Sequence, residues 1–310
     1  MLTWEPESET APTLAIVGAT ATGKTQVAIH IAAACGLEII CADSQTVYQR
    51  MDIGTAKPTR EQRERVRHHM LDLIEPDETM TVSMFQEGAR AVRQRLDAAG
   101  TRPVIVGGSG LYLKTVIDDL RLPPSEAEVR QRLEAMPPGD LVAALRRLDP
   151  PAAGFIDPNN TRRVIRALEV IEITGQPFSS FRQDWERRQP AAILGLQLTE
   201  ESLQQRIRTR TLAMLEAGWE DECRDLEDSG FREAVQAKAT LGYAEVYSML
   251  DGLITRDEAT DRICAKTRKL ARQQMTWFKA DPRIHWIEAS DPEHTLAQAE
   301  AYFTRAMELG

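Results

Sequence analysis

Residues 18 to 25 read Gly18-Ala19-Thr20-Ala21-Thr22-Gly23-Lys24-Thr25, a match to G-x-x-x-x-G-K-[ST] at every fixed position. The apolar stretch Leu14 to Val17 precedes it, and QVAIHIAAA (26–34) follows with a helical pattern. Strand, glycine-rich turn, helix is a unit that commits a chain to an α/β architecture. It also commits the chain to an anion, because the turn's backbone N–H groups and the helix N-terminus point at one spot. Lys24 adds a mobile positive charge there, and the Thr25 hydroxyl is a ligand for Mg2+. The motif leaves open which phosphate compound is held; its default content is a nucleoside triphosphate.

Two further β-like runs follow, LEIICA (37–42) ending at Asp43 and PVIVGG (103–108) ending in a glycine turn before LYLKTVI. Between them, 59–69 is polar and basic and 81–99 reads as an amphipathic helix. Strands alternating with helices predict a doubly wound, mostly parallel sheet. Ligands on such sheets sit beyond the carboxyl ends of the strands. The segments starting at Gly18, Asp43 and Gly107 are therefore expected to converge on one site. After about residue 118, prolines at 123, 124, 137, 138, 150, 151 and 158 punctuate short helical patterns until AAILGLQL at 191–198. The expected organisation is an α/β core of 11–117 and 191–310, interrupted by a mainly helical insertion at 118–190. Long helices fill most of 200–280, and RIHWIEA is expected to be a last strand.

With 42% hydrophobic and 27% charged residues among 310, the chain has the composition of a globular protein with a sizeable core. No apolar run is long enough to span a bilayer. The opening MLTWEPESET is acidic and polar, unlike a signal peptide, so a cytoplasmic protein with no membrane partner is expected. Cys35, Cys41, Cys223 and Cys264 have no C-x-x-C or zinc-like spacing and read as reduced thiols. The formal net charge of −9 weighs against nucleic acid only weakly, since RNA senses local patches. No heptad or exposed apolar stripe demands a partner, so a monomer is expected.

Asp43 ends the second strand and should face the phosphate site. Two readings stand on position alone: a cap or an outer partner of Mg2+, and a general base, since carboxylates as a class are ionised at neutral pH. Beyond Asp43, no apolar run clearly ends in an Asp as the metal-binding strand of ATPase motors does; that disfavours a motor and leaves a small-molecule kinase open. His68 and His69 are adjacent and cannot share a helix face as metal ligands, so they read as structural. Tyr48 and Tyr112 are candidates for stacking on bases; Trp277 and Phe278 read as core, Trp277 continuing an apolar stripe from Ile263 and Leu270.

GATATGKT, DSQTVYQRMDIGTAKP (43–58), HHMLDLIEP (68–76), GGSGLYLK (107–114), DPNNTRRVIRALEVIEITGQPFS (157–179) and TRKLARQQMTWFK (267–279) occur in that order. The set closely resembles the tRNA dimethylallyltransferase (isopentenyltransferase) family of bacterial type, over nearly the whole chain. The resemblance implies a prenyltransferase. N6 of the adenosine 3′ of the anticodon, position 37 of tRNA, would attack C1 of dimethylallyl diphosphate, releasing diphosphate. That amine is a poor nucleophile, because its lone pair is delocalised into the ring.

Carried over by the resemblance, Asp43 would be the base and Ser109 a second catalytic residue. Gly18, Ala19, Thr20, Ala21, Thr22, Gly23, Lys24 and Thr25 would hold the diphosphate, with Mg2+ on Thr25. Arg206 and Arg210, spaced i, i+4, match a paired-arginine segment and would clamp the diphosphate, although a solvated basic face fits the spacing equally well. Contacts to the tRNA anticodon stem-loop would come from Asp43, Ser44, Gln45, Thr46 and Ser109, and from Arg130, Arg162, Arg163, Val164, Ile165 and Arg166 in the insertion. The chain departs from the family at two places. Ser109 stands where Thr is usual, and the glutamine of Asp-Ser-x-Gln-Val-Tyr is one place nearer the aspartate, as Gln45, with Thr46 in its stead. Either Gln45 or Thr46 would then meet the target base. Further basic clusters, Arg262, Lys266 and Lys269 and the group Arg60, Arg63, Arg65 and Arg67, read as solvated faces or phosphate contacts. Three other readings remain: a free-adenylate prenyltransferase, a small-molecule kinase and a non-catalytic nucleotide- or RNA-binding module.

Overall fold

The structure, a computed structural model, describes residues 11–182, 186–237 and 240–308. The acidic segment 1–10, on which the targeting expectation rests, lies outside them. Six strands form one sheet, all parallel: β1 (Thr13–Gly18), β2 (Glu38–Cys41), β3 (His68–His69), β4 (Pro103–Gly107), β5 (Ala191–Gln197) and β6 (Ile284–Glu288), in the order β3-β2-β4-β1-β5-β6. Their sequences are runs of Val, Ile, Leu and Ala because both faces of the sheet are covered.

Side chains alternate between two cores, as the two-residue period of a strand requires. Ala15, Val17, Ile40, Ile105 and Ile193 pack on one face with Phe85, Tyr112, Trp219 and Tyr243. Leu14, Ile16, Ile39, Val104 and Leu194 pack on the other with Val27 and Ile31 of α1 (Lys24–Cys35) and with Phe303. β2, β4 and β1 are neighbours, so their carboxyl ends open side by side. Their approach is close: a Cβ on Gly107 would lie 2.0 Å from the carbonyl oxygen of Ala42, so only glycine fits there.

Three findings differ from the sequence expectation. The polar stretch 59–69 holds a short helix, α2 (Arg60–Arg65), closed by a capping box of Thr59 and Gln62, and then β3. Two residues are too few to show strand periodicity, yet His69 is fixed: Glu38 faces its Nε2 at 2.5 Å and Arg95 its Nδ1 at 3.2 Å. Tyr48 and Tyr112, expected to be open for base stacking, are buried, and Tyr112 lies against Phe85 with ring centroids 4.2 Å apart. Trp277, expected in the core, is 49% exposed, whereas its neighbour Phe278 is buried.

Helices α3 (Val82–Ala98) and α4 (Gly110–Ile117) complete the first half of this unit. The chain then enters a second compact unit, Asp118–Arg188, before returning at β5. That unit packs α5 (Ala127–Glu134), α6 (Pro138–Leu148), α7 (Pro150–Phe155) and α8 (Thr161–Thr174) around Leu133, Leu141, Leu145, Val164, Ile165 and Leu168. Val164 and Ile165, expected on the tRNA-contacting surface, therefore belong to this core: the apolar stripe of an amphipathic helix turns inward. Among the described residues no helix is long and apolar enough to cross a membrane.

Glu169, on α8, has a fully buried side chain that accepts from Arg130 (2.8 Å), Arg166 (2.7 Å), Ser125 (2.8 Å) and the N–H of Glu126 (3.1 Å). Burial pushes this carboxyl up, but the bonds from Arg130, Arg166 and Ser125 outweigh it and hold it at about 2. Arg166 also donates to the carbonyls of Pro123 and Pro124 at 2.7 and 2.8 Å. Glu169→Gln removes the charge two guanidiniums share, and should destabilise this unit by about 3 kcal/mol, the low end for a broken buried pair because both arginines keep some solvent. Urea unfolding followed by hydrogen exchange on α8 checks it. The folded-state value is depressed, so this contribution is present at neutral pH and lost as pH falls from the ordinary carboxylate range toward 2.

Candidate active site

The loop after β1 is shaped before any ligand arrives. The Thr22 hydroxyl (2.8 Å) and the Lys24 ammonium (2.7 Å) both donate to the Ala19 carbonyl, and Ala21 takes a positive φ of 65°. Gly23, at φ 94°, starts α1 and accepts the N–H groups of Gln26 and Val27. The turn lines a cavity of about 510 Å3 beyond the strand ends.

Thr20, Ala21, Lys24 and Thr25 line that cavity together with Asp43, Ser44, Gln45, Thr46, Gly107, Gly108, Ser109 and Arg210. The three strand ends thus converge as the alternation of elements predicts. The N–H of Gln45 donates to Asp43 Oδ1 at 2.8 Å, an Asx turn that orients the carboxylate. Ser109 Oγ accepts the N–H of Ser44 at 3.1 Å and donates to Ser44 Oγ at 3.3 Å, so the Ser hydroxyl ties the β4 turn to the β2 turn.

Two arginines expected as a pair behave differently. Both lie on α9 (Glu200–Glu216). Arg210 is desolvated, which holds its pKa below the usual guanidinium value against the pull of Asp43, and it donates to the Thr20 hydroxyl at 3.1 Å. Arg206 instead donates to backbone carbonyls: Ala289 at 2.6 Å, Thr22 at 3.4 Å and Ser290 at 3.4 Å. It lines a neighbouring cleft with Thr22, Gly23 and Ser290. Lys24 is also desolvated: burial lowers its pKa, Asp43 raises it, Arg210 lowers it further, and the ammonium sits at about 8.

Gln45 and Thr46 both reach the cavity, in different states. Gln45 Oε1 accepts the Thr240 hydroxyl at 2.9 Å. Thr46 is buried, and its hydroxyl has no partner among the described residues. The wall at 52–58 is gripped from both sides. Glu222, on α10 (Trp219–Asp228), accepts the N–H groups of Asp52, Ile53 and Gly54 at 2.7, 2.6 and 3.0 Å and the Tyr243 hydroxyl at 2.7 Å. The buried Lys57 donates to the Tyr48 carbonyl, Asp52 and Asp72 at 2.5, 2.7 and 2.6 Å. The sequence assigns no role to Glu222, because its three backbone partners lie about 170 positions away and no spacing announces them.

In the insertion, Arg162 and Arg163 are exposed, whereas Arg166 and Arg130 are engaged by Glu169. Arg63 pairs with Asp72 at 2.6 Å and Arg60 with Glu64 at 2.8 Å, while Lys266 pairs with Glu245, so these basic clusters are partly neutralised. The family model for IPP transferases matches residues 46–281. The chain belongs to the IPP transferase family.

Close relatives of this IPP transferase carry the description tRNA dimethylallyltransferase. The protein of Bifidobacterium adolescentis is 45% identical over 297 residues, 93% of this chain and 88% of its own. That of Thermobifida fusca is 46% identical over 289 residues, 90% and 91% of the two chains. The full-length tRNA isopentenylpyrophosphate transferase of Bacillus halodurans superposes with a TM-score of 0.70 at 35% identity, covering 96% of this chain and 97% of that one. A eukaryotic dimethylallyltransferase acting on tRNA superposes with a TM-score of 0.78 at 26% identity, covering 94% and 78%. The two superpositions show that this chain shares its fold with those transferases.

Proposed function

We propose that the chain transfers the dimethylallyl group of dimethylallyl diphosphate to N6 of the adenosine at position 37 of tRNA, releasing diphosphate. The observation that carries this reading is the meeting, in one cavity, of an anion-binding loop with Lys24 and Arg210 and of an oriented carboxylate, Asp43. The loop alone fits any phosphate compound; the carboxylate adds the group that takes a proton from a weakly nucleophilic amine. Lys24, Arg210 and the loop N–H groups stabilise the charge that builds on the departing diphosphate. Asp43 receives the N6 proton. Ser109 fixes the turn that carries Asp43 and Ser44.

The site fits Mg2+. The Thr25 hydroxyl lines the cavity beside Lys24, with no hydrogen-bond partner among the described residues. Mg2+ keeps several waters and takes one or two protein oxygens plus substrate phosphates, which such a sparse donor set provides. When bound, the ion would neutralise charge on the diphosphate.

The target base must leave its stack to reach the cavity, a cost of about a few kcal/mol that is smallest in a single-stranded loop. Thr46, with an unpartnered hydroxyl, and Gln45, with its amide oxygen already engaged by Thr240, are the groups to read its edge. The exposed Arg162 and Arg163 are positive charges of the insertion available to tRNA phosphates.

The reading predicts a pH dependence. Diphosphate binding needs the Lys24 ammonium, whose pKa in the free protein is about 8. kcat/KM for dimethylallyl diphosphate, which reports the free enzyme, should fall about tenfold per pH unit above that value. Prenyl transfer to tRNA measured from pH 6.5 to 9.5 tests it. A flat profile across the alkaline half would remove Lys24 from the reaction.

A further inference from the structure

The helix Arg256–Phe278, α11, docks its carboxyl-terminal turns onto the two glycine turns that frame the cavity. The contact is specific. A Cβ on Gly110 would meet the Trp277 ring at 3.0 Å, and a Cβ on Gly108 would meet Gln274 Nε2 at 2.5 Å. Gln274 and Trp277 are one helical turn apart, so one face of the helix fills the space both glycines leave. Ser109 lies between those glycines.

Gln274 also reaches the phosphate loop. The N–H of Thr20 donates to Gln274 Oε1 at 2.8 Å, across 254 positions of sequence. A backbone N–H can only donate, so the atom facing it is the amide oxygen, and the orientation of the planar amide follows. The Nε2 end then lies at Gly108, in the wall of the cavity, with no hydrogen-bond partner among the described residues. One side chain thus takes an N–H out of the loop's anion-binding set and puts two N–H donors of its own beside it.

We propose that Gln274 is a diphosphate-binding residue, its carbonyl fixing the loop through Thr20 and its amide N–H2 donating to the diphosphate from the β4 side of the cavity. The proposal rests on the transferase reading for the identity of the ligand. It adds a donor at the glycine turn after β4 to those of Lys24 and Arg210, with Thr20 touched by both Gln274 and Arg210. A purely buttressing glutamine would need only its oxygen.

Inorganic pyrophosphate with Mg2+ is the probe, titrated into the full-length protein. In 15N-labelled protein the side-chain amide signals of Gln274 are identified by their loss in Gln274→Met. On saturation with pyrophosphate, at least one of these amide protons should move downfield and exchange more slowly with solvent. Calorimetry should show Gln274→Met binding pyrophosphate roughly 10- to 100-fold more weakly, the range for a hydrogen bond to a charged group. Amide signals that stay in place at saturation, or a Met variant that binds within about threefold of the parent, would overturn the assignment and leave the transferase reading standing. A parent protein that does not bind pyrophosphate at all would overturn both.

Discussion

Asp43→Asn is expected to slow prenyl transfer by about 100- to 10,000-fold, the contribution of a well-placed general base. The substitution is a sharp one because of what it preserves. Asn keeps an oxygen to accept the Gln45 N–H that Asp43 Oδ1 now accepts at 2.8 Å, so the turn before Thr46 holds its shape. What is lost is the ability to take a proton, together with a negative charge that faces Lys24 and Arg210. Removing that charge leaves two cations in the cavity less opposed, so diphosphate should bind as well or better. Single-turnover rates with tRNA in excess, beside calorimetry with pyrophosphate, separate the two effects. A variant that keeps the parent rate would show that Asp43 only caps its turn.

Lys24→Met should lower kcat/KM for dimethylallyl diphosphate by about 100- to 1,000-fold, the range for removing one preorganised donor from a developing anion. The same change should leave the melting temperature at least as high at neutral pH. The sign follows from the pKa. Burial holds the Lys24 ammonium at about 8, below an exposed lysine, so the fold disfavours the charged form that is present at pH 7. Met carries no charge to desolvate and gives up one hydrogen bond, to the Ala19 carbonyl. Loss of activity with retained or increased stability is the pattern of a residue kept for function at a cost to folding. A variant that unfolds at a lower temperature would instead make Lys24 a structural strut.

Much of this was legible in the chain itself. Gly18 to Thr25 dictates a strand, a turn and a helix, and the runs before Asp43 and Gly107 can only be strands that end where the loop ends. Parallel order then places all three ends together, so the convergence of Lys24, Asp43 and Ser109 follows from the order of elements. The parts that were not legible depend on contacts between distant segments. Whether an arginine on α8 faces solvent or Glu169 is settled by which side of the helix meets Ser125 and Arg130, which separates Arg163 from Arg166. Trp277 has the spacing of a core residue, but its stripe runs past the end of the core and covers Gly110 instead. Glu222 and Gln274 act on backbone N–H groups, and a backbone N–H leaves no mark in a sequence.

The shifted glutamine was visible at once, yet its consequence was not. In the structure Gln45 and Thr46 both line the cavity, and Thr240 engages the Gln45 amide oxygen, leaving Thr46 as the buried hydroxyl without a partner. Sequence alone offered either residue as the reader of the base. The geometry favours a shared arrangement, in which Thr240 fixes Gln45 and Thr46 supplies the unsatisfied group.

The central claim is an acceptor and a donor: adenosine in tRNA, and dimethylallyl diphosphate. The most direct measurement is mass spectrometry of nucleosides digested from unmodified tRNA after incubation with the protein, Mg2+ and dimethylallyl diphosphate, with AMP and ATP in parallel reactions in place of tRNA and of the diphosphate. The account predicts N6-isopentenyladenosine from the tRNA reaction, located next to the anticodon on its 3′ side, and none from AMP. Prenylated AMP, or consumption of ATP with no prenylated nucleoside, would contradict it.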